Sequence, residues 1–576
     1  MAQPSTTTPE FREAMRDLLQ GAAAAAFVGL FVNVMYLALP LYTNQIYDRV
    51  ISSGSMDTLM ALTLIVAIVL VFQAALDYLR HRIFVILGGR VASRLGRPVF
   101  EAAVESTLRH GAGPASGAIR DLGDVRTFIA SGAVALPTDI LITPLFLVVL
   151  FLLHPLYGMV GLAGAALLLV TGVTTELAVR RPTARTQQAN SSIQAETAAA
   201  IRNAEVIVAM GMLPAVARRW RRTQAQALDS VERGRAVAKA LTAAAKGLRT
   251  GLQIANVCAG AWLVIHHEVS SGSIVAASVL SSRLLLPYEQ LIDGWRQWCD
   301  ALAAIDRIRD VLTRGATTRS GTPVAVQRAV LVADRVGYVP AGQAVPLIRN
   351  VSFKVEGGEL LGIVGPSGAG KSTLARLIVG LWAPTSGGLY LDGHSTFGHE
   401  RGSFGEAVGY LPQDPALLDG RVRENIARFR DADMADVVAA ARLAGIHEMI
   451  GRLPQGYETR LTDAASRLSG GQKQRLALAR ALFGDPKLVV MDEPNSSLDG
   501  EGEAALMEAM EIARARGAAV VVVAQRMSIL NRATRLLVLR DGAVAHFGPR
   551  AEVLAALSPA RKGGRVEALP LREASR

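Results

Sequence analysis

Two cysteines in 576 residues, Cys258 and Cys299, are too few and too far apart for a disulfide framework or a cysteine metal site. One stands in an apolar stretch and the other just after one, so both read as buried or inert thiols. Charge is scarce as well, at 19% of residues against 51% hydrophobic. With a mean hydropathy of +0.30, that balance is unusual for a soluble enzyme and ordinary for a chain that crosses a membrane several times. No cleavable signal peptide is evident either. The opening MAQPSTTTPEFREAMRD (residues 1–17) contains acids and leads into an apolar run long enough to span. The first helix is therefore expected to be an uncleaved anchor, with residues 1–20 as a cytoplasmic tail.

What charge there is leans basic, with a formal net charge of +12. Nucleic acid is not needed to explain it. The arginines cluster in RHRIFVILGGRVASRLGR (80–97), VRRPTAR (179–185) and ARRWRR (217–222), with apolar segments between, which is the positive-inside pattern of membrane proteins. A span needs roughly 20 apolar residues. Six stretches qualify: 22–46, 58–77, 131–153, 156–176, 250–268 and 272–292. The connectors DRVISSGSMD, HPLY and HHEVSSG are short and poor in basic residues, which places them outside. The long basic, alanine-rich segments around 80–126 and 180–249 lie inside and read as helical extensions of the spans.

Two ionisable residues interrupt this region. Asp139 lies near one end of the third span and Arg283 near the middle of the sixth. Charge at that depth is costly unless it meets a partner or a watery cavity, so both are candidates for a substrate pathway. A snorkelling side chain at the membrane surface is the plainer alternative.

Beyond Leu312 the texture changes. Residues 313–323 form a polar linker, and from 324 to 559 short β-branched runs alternate with helical patterns, as in an α/β domain with a largely parallel sheet. Residues 560–576 read as a mobile tail. The strand LLGIV runs into GPSGAGKST: Gly365, Pro366, Ser367, Gly368, Ala369, Gly370, Lys371, Ser372 and Thr373. Glycines at this spacing, between a strand and a helix, let backbone N–H groups close on phosphate. Lys371 brings a cation to the terminal phosphates, and Ser372 a hydroxyl to Mg²⁺. The apolar strand KLVVMDEP ends in Asp492, suited to the metal, and Glu493, suited to polarising an attacking water. RLSGGQKQRLALARAL puts Leu468, Ser469, Gly470, Gly471 and Gln472 at the start of a strongly helical run, a second anion-binding helix start. One domain does not readily bring both phosphate sites to one nucleotide. A head-to-tail dimer enclosing two nucleotides is simpler.

GPSGAGKST, LSGGQ and VVMDEPNSSLD in this order resemble the nucleotide-binding domain of an ABC transporter. The resemblance implies ATP and Mg²⁺ as ligands. It also implies that Tyr338 stacks on adenine, that Gln413 touches Mg²⁺ and water and senses the membrane domain, and that Asp499 crosses the dimer interface. The membrane half narrows this. NVMYLALPLYTNQIYDRVISSGSMDTLMAL, LFLVVLFLLHPLYG, IRNAEVIVAMGML and SSRLLLPYEQLIDGWRQW resemble the permease/ATPase of bacterial type I secretion systems, in the branch that exports proteases and lipases. The fold implied is a six-span α-helical transmembrane domain, 21–312, fused to an α/β P-loop domain. The partners implied are a second copy of the chain, a periplasmic adaptor (membrane fusion) protein, an outer-membrane channel, the lipid of the inner membrane, and an unfolded protein substrate with a C-terminal signal. No peptidase-like domain precedes the first span, which argues against the exporters that carry one.

One position departs from the family. After the valine strand VVVV (520–523), where relatives usually carry a histidine on the γ-phosphate, this chain has Gln525. Its amide donates a hydrogen bond but cannot become a cation, so slower ATP turnover with binding retained is expected. Two other functions fit the architecture: export of lipid or small amphiphiles, and a regulatory membrane protein that binds ATP and hydrolyses little.

Overall fold

The computed structural model describes residues 9–110, 117–316, 321, 323, 325–340, 342–461, 468–524 and 527–557. The chain divides into two compact units, Met1–Thr317 and Thr318–Arg576.

The described part of the first unit is helical throughout. Pro9–Met35 is followed by a break at Tyr36 and Leu37, then by Ala38–Gln45 and a π turn, Ile46–Val50. Met56–His110, Ala118–Ala130, Leu136–Leu153, Pro155–Arg202, Leu213–Ile265 and Ser271–Ala316 complete the frame. Proline starts the Pro155–Arg202 helix, where its missing N–H costs nothing, and the His154 side chain caps it by accepting from the Leu156 N–H at 3.1 Å. Met56–His110 has 55 residues, about 80 Å at 1.5 Å per residue, more than twice the ~30 Å hydrocarbon core. Such helices must continue well outside the membrane.

Among the described residues, five stretches are long and apolar enough to cross: Pro9–Ser53, Met56–Leu108, Ala133–Leu153, Pro155–Thr175 and Lys239–Ile265. The sixth expected span, 272–292, lies in the Ser271–Ala316 helix but falls below that apolarity. Its polar residues are the reason. Glu289, 7% exposed, accepts from Arg249 Nε at 2.5 Å, and Arg283 meets the ring of Tyr36. In the Met56–His110 helix Leu64, Ile68, Val71 and Phe72 are exposed, as a lipid-facing surface requires.

The second unit is built on two sheets. One is antiparallel, in the order β2-β1-β4-β5, with β1 Leu331–Tyr338, β2 Ile348–Val355, β4 Ser386–Leu391 and β5 His394–Ser395. The other runs β10-β9-β3-β8-β7-β6, with β3 Leu360–Val364, β6 Val408–Leu411, β7 Leu488–Asp492, β8 Ala519–Val523, β9 Arg535–Arg540 and β10 Ala543–Pro549. All its neighbours are parallel except β10 and β9. The valines of β8 alternate between two cores: Val520 and Val522 join one, Val521 and Val523 the other. Because both faces are covered, the strand can be apolar at every position, which is why it reads as an unbroken run. The sheet therefore presents the C-terminal ends of β3 and β7 side by side with β8, at the crevice where open α/β sheets hold ligands.

Candidate nucleotide site

The loop leaving β3 has a shape only glycine permits at its ends. Gly365 and Gly370 have φ of 154° and 94°. A Cβ on Gly365 would collide with the Leu539 carbonyl oxygen, and one on Gly370 would lie 2.8 Å from Ile348 Cδ1 and 3.0 Å from the Leu347 oxygen. Ala369 is buried beneath the loop, and the helix Lys371–Ile378 starts directly after it. Lys371, 6% exposed, donates from Nζ to the carbonyl oxygens of Gly365 and Pro366, each at 2.9 Å. Its ammonium is thus pinned to the loop at a helix start, where the dipole already favours an anion.

β7 brings its carboxylates to the same place. Ser372 Oγ donates to Asp492 Oδ1 at 3.2 Å. Burial raises the pKa of Asp492, the Ser372 hydrogen bond opposes that shift, and the charge of Glu493 adds to it. A buried carboxylate and a hydroxyl in contact are hard oxygen donors, and this set fits Mg²⁺. Glu493 itself has φ 48°, a left-handed conformation rare outside glycine. Its N–H donates to the Val523 oxygen at 2.9 Å, tying the end of β7 to β8, and its Oε2 accepts from Gln413 Nε2 at 3.0 Å. The side chain is therefore held from the backbone side and from the carboxylate side. Such strain at a carboxylate is characteristic of functional positions.

The signature segment forms a capped helix, Gly470–Leu482. Ser469 Oγ accepts from the Gln472 N–H at 3.2 Å, and Gln472 Oε1 accepts from the Ser469 N–H at 2.9 Å, a reciprocal capping box. Leu468 is buried beside it. Gly471 lets the helix approach the next loop, since a Cβ there would stand 2.7 Å from the Ser497 oxygen. Asp499 caps the helix Gly500–Ala515 through the Gly502 N–H at 2.9 Å and accepts from Arg475 Nη2 at 3.2 Å.

Sequence reasoning missed Gln474. It is 1% exposed, and its Nε2 donates to the Glu493 oxygen at 3.3 Å, the Pro494 oxygen at 2.5 Å and Ser496 Oγ at 3.4 Å, while its Oε1 accepts from the Ser497 N–H at 3.0 Å. One side chain thus joins the signature helix to the loop that carries Glu493. The signal was available: position 474 shares a helix face with the buried Ala477, Leu478 and Ala481, and a glutamine on such a face must find partners. Trp382 was missed too. Its ring stacks on Tyr338 at 5.2 Å with 10° between planes, and the Arg376 guanidinium lies 5.0 Å from it.

The structure therefore brings Lys371, Ser372, Asp492, Glu493 and Gln413 into one chain of contacts around the P-loop, while Tyr338 sits with Trp382 at the end of β1. Gln525 lies outside the described residues. In the membrane unit Asp139 is paired with Arg80, at 2.9 and 2.8 Å, and accepts from Asn33 Nδ2 at 3.3 Å. Arg283 stacks over Tyr36, 3.8 Å from its ring centre.

The chain matches the family model of the ABC transporter over residues 348–496 and that of the ABC transporter transmembrane region over 23–288. It is 36% identical to the type I secretion system ATP-binding protein PrsD of Rhizobium meliloti over 540 residues, 92% of each chain. It is 28% identical to the leukotoxin translocation ATP-binding protein LktB of Mannheimia haemolytica over 535 residues, 92% of this chain and 75% of that one. A bacterial Atm1-family ABC exporter with ATP bound has the same fold, with a TM-score of 0.81 at 23% identity, over 96% of this chain and 99% of that one.

Proposed function

The chain belongs to the ABC transporter family, a multi-pass membrane ATPase whose turnover is coupled to transport, and on that premise we propose that it drives protein export in a type I secretion system of the bacterial inner membrane. The motor reading rests on one observation above the others: Glu493, held by Gln413 beside the Ser372 and Asp492 pair, at the edge of the loop that Lys371 closes. Secretion rather than another cargo is favoured by the likeness to the Rhizobium meliloti protein along nearly the whole chain.

In this reading Gly365 to Gly370 cradle the phosphates of ATP with backbone N–H groups, Lys371 offsets charge on the terminal pair, and Tyr338 stacks on the adenine. Ser372, Asp492 and Gln413 would hold Mg²⁺, which would supply charge neutralisation for the phosphates. Glu493 accepts the proton of the water that attacks the γ-phosphorus, and ADP leaves with its oxygen charge stabilised by Lys371. Gln525 donates one neutral hydrogen bond where a cation would do more, so hydrolysis is slow while nucleotide binding persists. Two copies of the chain assemble head to tail. Ser469 to Gln472 of one copy close on the nucleotide of the other, and Asp499 crosses between them. Residues 21–312 carry the substrate, with 324–559 as the motor. A periplasmic adaptor and an outer-membrane channel complete a path for an unfolded protein bearing a C-terminal signal.

The test is made in the source bacterium. Replacing the chromosomal gene with a Lys371→Ala version should remove one or a few proteins from the culture medium and leave them inside the cell. An unchanged set of secreted proteins, with the variant present in the membrane at normal amount, would refute the assignment.

A further inference from the structure

Between the helices Pro9–Met35, Met56–His110, Leu136–Leu153 and Ser271–Ala316 lies a cavity of about 540 Å³, within the range of ligand sites. One face of the last helix lines it from Arg283 through Gln290 and Asp293 to Gln297, residues three to seven apart and so on one side. Asp77 and Asn33 face it from the other helices. Arg283 is twelve residues from Ser271, where its helix begins, so it stands about 18 Å along, near the middle of a ~30 Å core.

The cavity's other arginine already has its carboxylate. Arg80 makes its two bonds to Asp139, and both side chains are nearly closed to solvent, at 11% and 14% exposed. Arg283 has no carboxylate among the described residues; its described contact is the face of Tyr36. A guanidinium at mid-membrane depth on an aromatic face is held in place by the ring, yet its planar fork of N–H donors lacks an acceptor among the described residues. Asp293 lies ten residues further along the same helix, about 15 Å away. The cavity therefore has Arg283 at one level, Asp293 about 15 Å along the same helix and Asp77 and His81 on a neighbouring one, with the amides of Asn33, Gln290 and Gln297 also on its wall. Lipid tails gain nothing from such a lining. An extended polypeptide does, because its backbone N–H and C=O groups need partners once out of water.

We propose that this cavity is a peptide site in which Arg283 binds a carboxylate of an extended polypeptide, either its chain terminus or an acidic side chain. The site rests on the protein-export reading above and specifies what part of a substrate is recognised. Over 15 Å an extended chain spaces about four to five residues, so a basic side chain at that distance from the carboxylate would face Asp293 and Asp77.

The test uses the full-length protein in phosphatidylethanolamine nanodiscs with a photo-crosslinking residue in place of Leu286, which lines the same cavity. The probes are three fluorescent 15-residue Gly/Ser peptides: one with a free C-terminus, one amidated with a single internal Glu, and one amidated without acid. Labelling by the first or the second at least tenfold above the third supports the proposal and tells which carboxylate is used. Arg283→Gln should remove that preference, and Arg283→Lys should keep part of it. Equal labelling by all three peptides in the unaltered chain would overturn the proposal, whether or not the variants fold. So would displacement of every peptide by phosphatidylglycerol alone, which would make the cavity a lipid site. The two readings fail separately: loss of the carboxylate preference in a chain that still exports protein removes only this site, whereas binding without any exported protein removes only the secretion assignment.

Discussion

The two units handle buried charge in opposite ways. In the nucleotide-binding unit Lys371, Ser372, Asp492 and Glu493 are set by local backbone: a glycine loop, a helix start and a strand end. In the membrane unit Arg80 and Asp139 meet across 59 positions of sequence, and Arg283 and Tyr36 across far more. The first arrangement is written in short motifs, because the geometry follows from neighbours in the chain. The second exists only once four helices have packed. Charge in the motor is placed for chemistry and left able to meet a ligand; between the spans Arg80 with Asp139 and Arg249 with Glu289 are matched for stability, whereas Arg283 has no carboxylate among the described residues.

The sharpest way to break this contrast is at the Arg80 and Asp139 pair. Asp139→Ala should leave a buried guanidinium uncompensated and cost about 3–5 kcal/mol, read as a lower thermal midpoint in detergent. The double change Arg80→Met with Asp139→Leu should cost less than Asp139→Ala alone. Additive losses would mean the pair is not a unit. A smaller effect is expected in the motor, where Gln474→Leu removes the bonds to the Glu493 and Pro494 oxygens and the Ser497 N–H. It should lower kcat for ATP on the order of 10-fold to 100-fold through displacement of Glu493, with KM nearly unchanged. A rise in KM at constant kcat would show that Gln474 serves binding rather than positioning.

These predictions fall where the sequence was least legible. The P-loop, the paired carboxylates of β7 and the signature helix could be read directly, because spacing along a strand or helix places them. Gln474 was legible as a polar residue on a buried helix face, but not its partners, which sit on a loop some twenty positions away. Trp382 stacks on Tyr338 only after β1 and the segment following Lys371–Ile378 come together. Asp139 read equally as a pathway residue or a snorkelling one, and its bidentate contact with Arg80 came from the packing of both Met56–His110 and Leu136–Leu153 against Pro9–Met35. The sixth span was visible as a helix, but its apolarity is diluted by Arg283 and Glu289, whose partners, Tyr36 and Arg249, stand far off in the sequence.

The smallest effect concerns His399. It is 2% exposed, both ring nitrogens lack a hydrogen-bond partner among the described residues, and burial, then the charges of His394 and Arg401, lower its pKa. The unfolded chain therefore binds a proton near pH 6.5 that the folded unit does not. Stability should fall as pH drops below that value, by up to about 1.4 kcal/mol per pH unit. His399→Phe should flatten the slope between pH 7 and 5 in thermal unfolding curves; an unaltered slope would place the acid sensitivity elsewhere.

The most direct test of the whole account is Mg²⁺-dependent ATP hydrolysis by the purified full-length chain, beside Glu493→Gln and Gln525→His. The account predicts slow but measurable turnover, abolished by Glu493→Gln and raised by Gln525→His. ATP binding with no turnover in any of the three would contradict a transport motor built on Glu493.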